Sequence, residues 1–138
     1  MKNINKILEY GKASLVASVL YATAILGIQV IPQEFSPKIN KINLEQILNE
    51  ERKRAGINDT TKINVQLSNE EEEVSYAQKI NNGEYKIVLP KISANKNVLR
   101  HELYHIADGH CDEEFTNLKY FFIHEPQATI YSITGLKP

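Results

Sequence analysis

In "NVLRHELYHIADGH", His101 and His105 stand four residues apart with Glu102 between them. On a helix advancing about 100° per residue, the two histidines lie about 40° and one turn apart, so both imidazoles can face a single ion. Zinc accepts neutral imidazole nitrogen at roughly 2.0–2.1 Å. Glu102, one step beyond His101, falls beside such an ion rather than on it. From there its carboxylate can take a proton from a zinc-bound water and pass it to a leaving amine. A glutamate at this place separates a hydrolytic centre from a purely structural one. Leu99, Leu103 and Ile106 follow at i, i+4 and i+7 on the side opposite the histidines, a stripe suited to packing on a sheet.

A catalytic zinc keeps three protein ligands and one open position. Glu125 is the expected third ligand. It follows a connection long enough to return the chain, and it opens a helix in which the small Ala128 allows close approach to the motif helix. His110, Asp112 and His124 are the alternatives, although His110 does not fall at the spacing of an HExxHxxGxxH pattern and needs an unusual turn to reach the ion. Cys111, the lone cysteine, has no partner for an internal disulfide and is a soft donor beside the motif. Asp108 lies one turn beyond His105 on the same face, either fixing an imidazole tautomer from behind the ligands or facing water.

The elements that must position these groups can be read from pattern. "NLEQILNEERKRAG" has Asn43 as N-cap, an apolar side at Leu44, Ile47 and Leu48, basic residues in its last turn and Gly56 as its stop. "KINVQL" and "VSYAQKI" alternate with the period of strands, and Asn82-Gly83 joins the second to "EYKIVLP" as a hairpin that Pro90 closes. The motif helix begins between Ser93 and Asn97 and stops at Gly109. "CDEEFTNLKYFFIH" is expected to be irregular or partly extended, burying the aromatics of "LKYFF" against the sheet. A final helix starts near Glu125, with Pro126 in its first turn, and stops at Gly135. The order helix, three strands, helix, helix predicts an α+β domain with helices on a small, mainly antiparallel sheet.

The chain has 138 residues and a net charge of −1, enough for one modest core and no second enzyme domain. No basic stripe interleaves with aromatics, so a nucleic-acid partner is not expected. The run Glu70–Glu73 reads as a solvated turn. "ASLVASVLYATAILGIQVI", Ala13 to Ile31, is uncharged and as a helix spans roughly 28 Å, close to the hydrocarbon thickness of a bilayer. It is expected to be an uncleaved transmembrane helix, with a removed signal segment as the alternative. Residues 1–12 form its basic flank, 32–38 a Pro-bounded linker and 39–138 the folded domain. Lys2, Lys6 and Lys12 weakly favour placing that domain outside the cytoplasm.

"HELYH", a connection, and then "EPQAT" on a following helix resembles the gluzincin division of HExxH zinc metallopeptidases. Over Leu44 to Gly135 the element order is similar to that of its single-domain members, the minigluzincins. The resemblance implies a zincin-like fold in which His101, His105 and Glu125 bind Zn2+ and Glu102 is the general base and acid. It further implies a peptide or protein substrate, paired in extended form with the last strand before the motif helix; "YKIVL" or a neighbouring edge strand would serve. Thr129 stands where many members have an Asp, and Tyr120, His124 and Tyr131 are candidates for stabilising the oxyanion. Three other readings use the same residues: a non-catalytic zinc protein closed by His110, Cys111 or Asp112, a cytosolic peptidase of the repressor-cleaving kind, and a membrane interaction protein.

Overall fold

A computed structural model describes residues 36–69, 74–113 and 119–138; the expected membrane span 13–31 and the glutamate run 70–73 lie outside them. In chain order come α1 (Leu44–Ala55), β1 (Lys62–Ser68), β2 (Tyr76–Asn81), β3 (Glu84–Pro90), α2 (Lys96–Ala107), a 3-10 turn (His110–Asp112), a π-helical turn (Tyr120–His124) and α3 (Glu125–Thr134). Among the described residues the fold is α+β, with three α-helices and one three-stranded mixed sheet. No helix among these residues is long and apolar enough to cross a membrane.

The strands lie in the order β1-β3-β2. β2 and β3 form the expected antiparallel hairpin, with Gly83 at φ +71° supplying the left-handed turn residue. β1 pairs with β3 in parallel, from Lys62 opposite Glu84 to Ser68 opposite Pro90, so the sheet is mixed rather than mainly antiparallel. The reason lies in β3: Ile87, Val88 and Leu89 are consecutive and all buried, which requires cover on both faces and neighbours on both edges. The link from Ser68 to Tyr76 joins β1 and β2 at the same end of the sheet, so β1 opposes β2 and runs with β3. Both edges of "YKIVL" are thereby occupied, and it cannot take an added strand. Among the described residues, β2 is the edge strand on the hairpin side.

The motif helix α2 starts from Asn95, whose side-chain oxygen accepts from the N–H groups of Asn97 at 2.9 Å and Val98 at 3.0 Å. Leu99, Leu103 and Ile106 are buried with Ile87 and Leu89 in the main core, as their spacing requires. Ser36 and Ile39 are tied to the same region, through Ser36 Oγ accepting from Asn97 N–H at 3.1 Å and Ile39 N–H donating to Ala94 O at 3.0 Å. Asn43 occupies the N-cap of α1 without capping it through its side chain. Its Oδ1 accepts instead from Asn40 N–H at 2.8 Å, bracing the chain before the helix.

Lys119 to His124 is helical, and Phe121, Phe122 and Ile123 are 62%, 57% and 48% exposed rather than buried against the sheet. A helical period turns consecutive residues to different sides, so only Tyr120 and His124, four apart, face inward together. Pro126 accounts for the wide turn: its ring would crowd the carbonyl of Phe122 four residues back in a regular α-helix. The chain yields by bonding Glu125 N–H to Tyr120 O, five residues back.

A buried ion pair ties the helices together. Arg100 of α2 donates through Nε to Glu51 Oε2 at 2.5 Å and through Nη2 to Oε1 at 3.1 Å, and its Nη1 reaches Ser132 O of α3 at 2.9 Å. Burial pushes the Glu51 carboxyl up, but the bonds from Arg100 and Lys96 outweigh it and hold it below the ordinary value. Glu51→Gln should therefore leave a buried guanidinium uncompensated and cost about 3–5 kcal/mol of stability, measured by urea denaturation. Since the folded-state value is depressed, this contribution is present above the unfolded value of about 4.3 and is lost as pH falls through the folded one. The Gln variant should lack that acid-sensitive component.

Candidate functional site

His101 and His105 point from one face of α2 at Glu125, the first residue of α3. The Nε2 atoms of the two histidines are 3.1 Å apart. Glu125 Oε2 lies 3.3 Å from His101 Nε2, and Oε1 lies 3.3 Å from His105 Nε2. Ala128, with no exposed surface, sits between the helices beside the Tyr104 and Tyr131 rings, whose centroids are 5.0 Å apart. Small and flat groups at that contact let the two backbones come close enough for the three side chains to meet.

Two imidazoles and a carboxylate brought together in this way could hold a metal ion. Three vertices of a tetrahedron with metal–ligand bonds of about 2.0–2.1 Å are separated by about 3.3–3.4 Å. The two Nε2 atoms are 3.1 Å apart and each lies 3.3 Å from a different oxygen of Glu125, separations comparable to those edges. His101, His105 and Glu125 can thus hold one metal ion, and no fourth His, Cys, Asp or Glu joins them among the described residues.

Electrostatics sharpen the contrast between the two glutamates. Burial pushes the Glu125 carboxyl up, but the His101, His105 and Tyr120 hydrogen bonds overcome this and hold it well below the usual carboxylate range. Glu102 is 4% exposed, and burial, with a smaller push from Glu125, leaves its carboxyl raised despite His101, His105 and a bond from Ser75. The surroundings thus favour the ionised form of Glu125 and disfavour that of Glu102. Burial lowers the His101 value, yet its bond to Glu125 and the nearby carboxylates leave it raised. The Tyr120 hydroxyl is pushed above its ordinary value by burial and by its bond to Glu125, so it remains a donor.

The remaining candidates are engaged elsewhere. Asp112 pairs with Lys79 at 2.6 Å and accepts from the Tyr85 hydroxyl at 3.1 Å. His124 faces Glu113 at 3.4 Å and stacks on His110, with centroids 3.8 Å apart. His110 lies behind His105, Nδ1 to Nδ1 at 3.0 Å, and Asp108 contacts His110 at 3.1 Å rather than either histidine of the motif. Burial and its two histidine neighbours bring the His110 value down to about 4, so the ring is neutral. Burial and nearby carboxylates push the Cys111 thiol up to about 12, which disfavours the thiolate a soft ligand requires. Tyr131 is buried on Tyr104 and does not line the cleft, leaving Tyr120 as the tyrosine that does.

Two hollows meet at Glu102 and Tyr120, which line both. One, of about 400 Å³, has apolar walls at Val74, Val98, Phe121 and Ile133; the other, of about 220 Å³, is lined by Gln78, Lys79, His110 and Glu113. Val74, Ser75 and Ala77 bring the start of β2 to the mouth of both. Ser75 and the clustering of all four histidines were not signalled by spacing. The bond from Ser75 needs the β2 position, and His110 and His124 arrive through a glycine turn and a π turn. Compared with protein-family models, curated proteins and solved structures, the chain matches none, so a functional reading rests on its own geometry.

Removing the Tyr120 hydroxyl tests the electrostatic account. In chelator-treated protein, Tyr120→Phe should raise the Glu125 carboxyl toward its ordinary value, because a donor to the charged form is lost. Carbon-13 NMR of the side-chain carboxyl reads this directly, and an unmoved titration would remove the Tyr120 bond from the account.

Proposed function

We propose that the protein is a membrane-anchored, zinc-dependent endopeptidase of gluzincin type, with a zincin-like domain held at the bilayer by residues 13–31. The observation that carries the reading is the convergence of His101, His105 and Glu125, with the two Nε2 atoms 3.1 Å apart and each 3.3 Å from a different Glu125 oxygen, separations close to those between ligands of tetrahedral zinc. Zn2+ held there supplies Lewis-acid chemistry, acidifying water and polarising a carbonyl oxygen. Glu102, buried beside these residues with a raised carboxyl, takes the proton of the attacking water and returns it to the departing amine. Tyr120, protonated and lining both hollows, is the favoured donor to the developing oxyanion. β2, an edge strand among the described residues, would offer main-chain groups to an extended peptide laid across the cleft.

A closed, purely structural zinc site is less well supported, because His110, Cys111 and Asp112 make other contacts. The cytosolic and interaction-protein readings find no observation in their favour.

Elemental analysis should find one zinc per chain. Zinc at about 100 times its Kd should stabilise the fold by about 2.7 kcal/mol. Glu125→Ala should lose most of that thermal shift, while an unchanged zinc content in the variant would remove Glu125 from the ligand set. Against a library of unstructured peptides, Glu102→Gln should retain zinc and lose about 10²–10⁴-fold in cleavage rate. Equal cleavage by parent and variant would sink the enzymatic reading while leaving the metal site intact.

A further inference from the structure

Behind the metal-facing nitrogen of His105 lies a second imidazole and then a carboxylate. His105 Nε2 faces His101 Nε2 at 3.1 Å and Glu125 Oε1 at 3.3 Å, its Nδ1 is 3.0 Å from His110 Nδ1, and His110 Nε2 is 3.1 Å from Asp108 Oδ2. A neutral imidazole carries one N–H and one lone pair, so each contact dictates the next. Nε2 of His105 must offer its lone pair to a cation, which puts the proton on Nδ1. That proton needs an acceptor, so His110 Nδ1 must present its lone pair and its own proton must sit on Nε2. There it meets a carboxylate that can only accept. The reverse polarity fails at both ends: it puts a proton on His105 Nε2 and turns a His110 lone pair toward Asp108.

The second imidazole is held where this requires. His110 has a side chain only 5% exposed, lies 3.8 Å from the His124 ring at an interplanar angle of 4°, and meets Tyr104 edge-on at 5.6 Å. Gly109, at φ +76°, turns the chain back so that a residue five positions past His105 returns to it, which α-helical spacing does not allow.

We propose that His110, oriented by Asp108, is a positioning residue that fixes the tautomer and ring orientation of His105 and so sets how tightly the centre holds its metal. Ligating histidines commonly donate to a carboxylate or a backbone carbonyl; here an imidazole stands between ligand and carboxylate. This rests on the metal reading of His101, His105 and Glu125.

The test uses the full-length chain and zinc alone, with affinity measured by chelator competition. His110→Phe keeps a ring against His124 without an acceptor, and should weaken zinc binding about 10–100-fold. His110→Asn places an amide oxygen near the position of Nδ1 and should restore most of the loss. In the zinc-loaded parent with nitrogen-15 histidine, a through-hydrogen-bond coupling should connect His105 Nδ1 with His110 Nδ1. Unchanged affinity in His110→Phe, or no coupling in the parent, overturns the proposal. If the Phe variant fails to fold, the coupling in the parent decides. A parent that binds no zinc overturns the metal reading itself, an outcome distinct from zinc bound with equal strength by parent and variants.

Discussion

Arg100 holds the site together although it touches none of the residues expected to do chemistry. Its three nitrogens are each used: two grip the Glu51 carboxylate of α1, and the third bonds the Ser132 carbonyl of α3. It directly precedes His101, so the guanidinium and the His101 imidazole leave α2 in directions about 100° apart. Fixing one therefore fixes the rotation of the helix for the other. Ser132 lies two turns along α3 from Glu125, and pinning its carbonyl to α2 limits both tilt and sliding of α3. Contacts of 3.1–3.3 Å among His101, His105 and Glu125 tolerate little of either. Lysine could not replace this residue, because a point charge cannot bind a carboxylate through two parallel bonds while reaching a third group.

The far end of α3 is set by a different constraint. Pro126 prevents a regular α turn over 120–124, and the wider π turn aims Tyr120 and His124 inward while Phe121, Phe122 and Ile123 stay exposed. The same turn delivers the donor to Glu125 and the ring that stacks on His110. A backbone irregularity next to the third candidate ligand thus supplies that ligand's hydrogen-bond donor, as such bulges often do at functional sites.

What could be read in the sequence was what depends on local spacing. The two histidines and Glu102 follow from helical phase, the burial of Leu99, Leu103 and Ile106 from the same phase, and the hairpin from Asn82-Gly83. Glu125 was reachable because it opens a helix close to Pro126 and Ala128. The parallel pairing of β1 was not legible, since alternation gives the faces of a strand but not the direction of its neighbour; the continuous burial of Ile87, Val88 and Leu89 was the available sign of an interior strand. The aromatic run misled because hydrophobicity alone does not distinguish a buried strand from a helix exposed on most sides. Arg100 and Glu51 were hidden because a charged residue in an amphipathic helix normally faces water, and only tertiary packing brings 51 and 100 together.

Under the proposed reading, Glu102 is what separates a hydrolytic centre from a structural one. A carboxyl that is 4% exposed, with a raised pKa and a Ser75 hydroxyl as donor, is an unfavourable way to fill that space when stability is the only demand. Glutamine or leucine would fit the same helix position without the cost of desolvating a charge. The polar groups that could have closed a metal site, His110, Cys111 and Asp112, instead buttress His105, contact Ala77 and pair with Lys79. The result is a set of two imidazoles and a carboxylate with a buried second carboxyl beside it and a hollow on either side. Folds tolerate such local departures from their stability optimum where chemistry uses them, and under the proposed reading the fourth vertex of the tetrahedron and the burial of Glu102 serve one reaction.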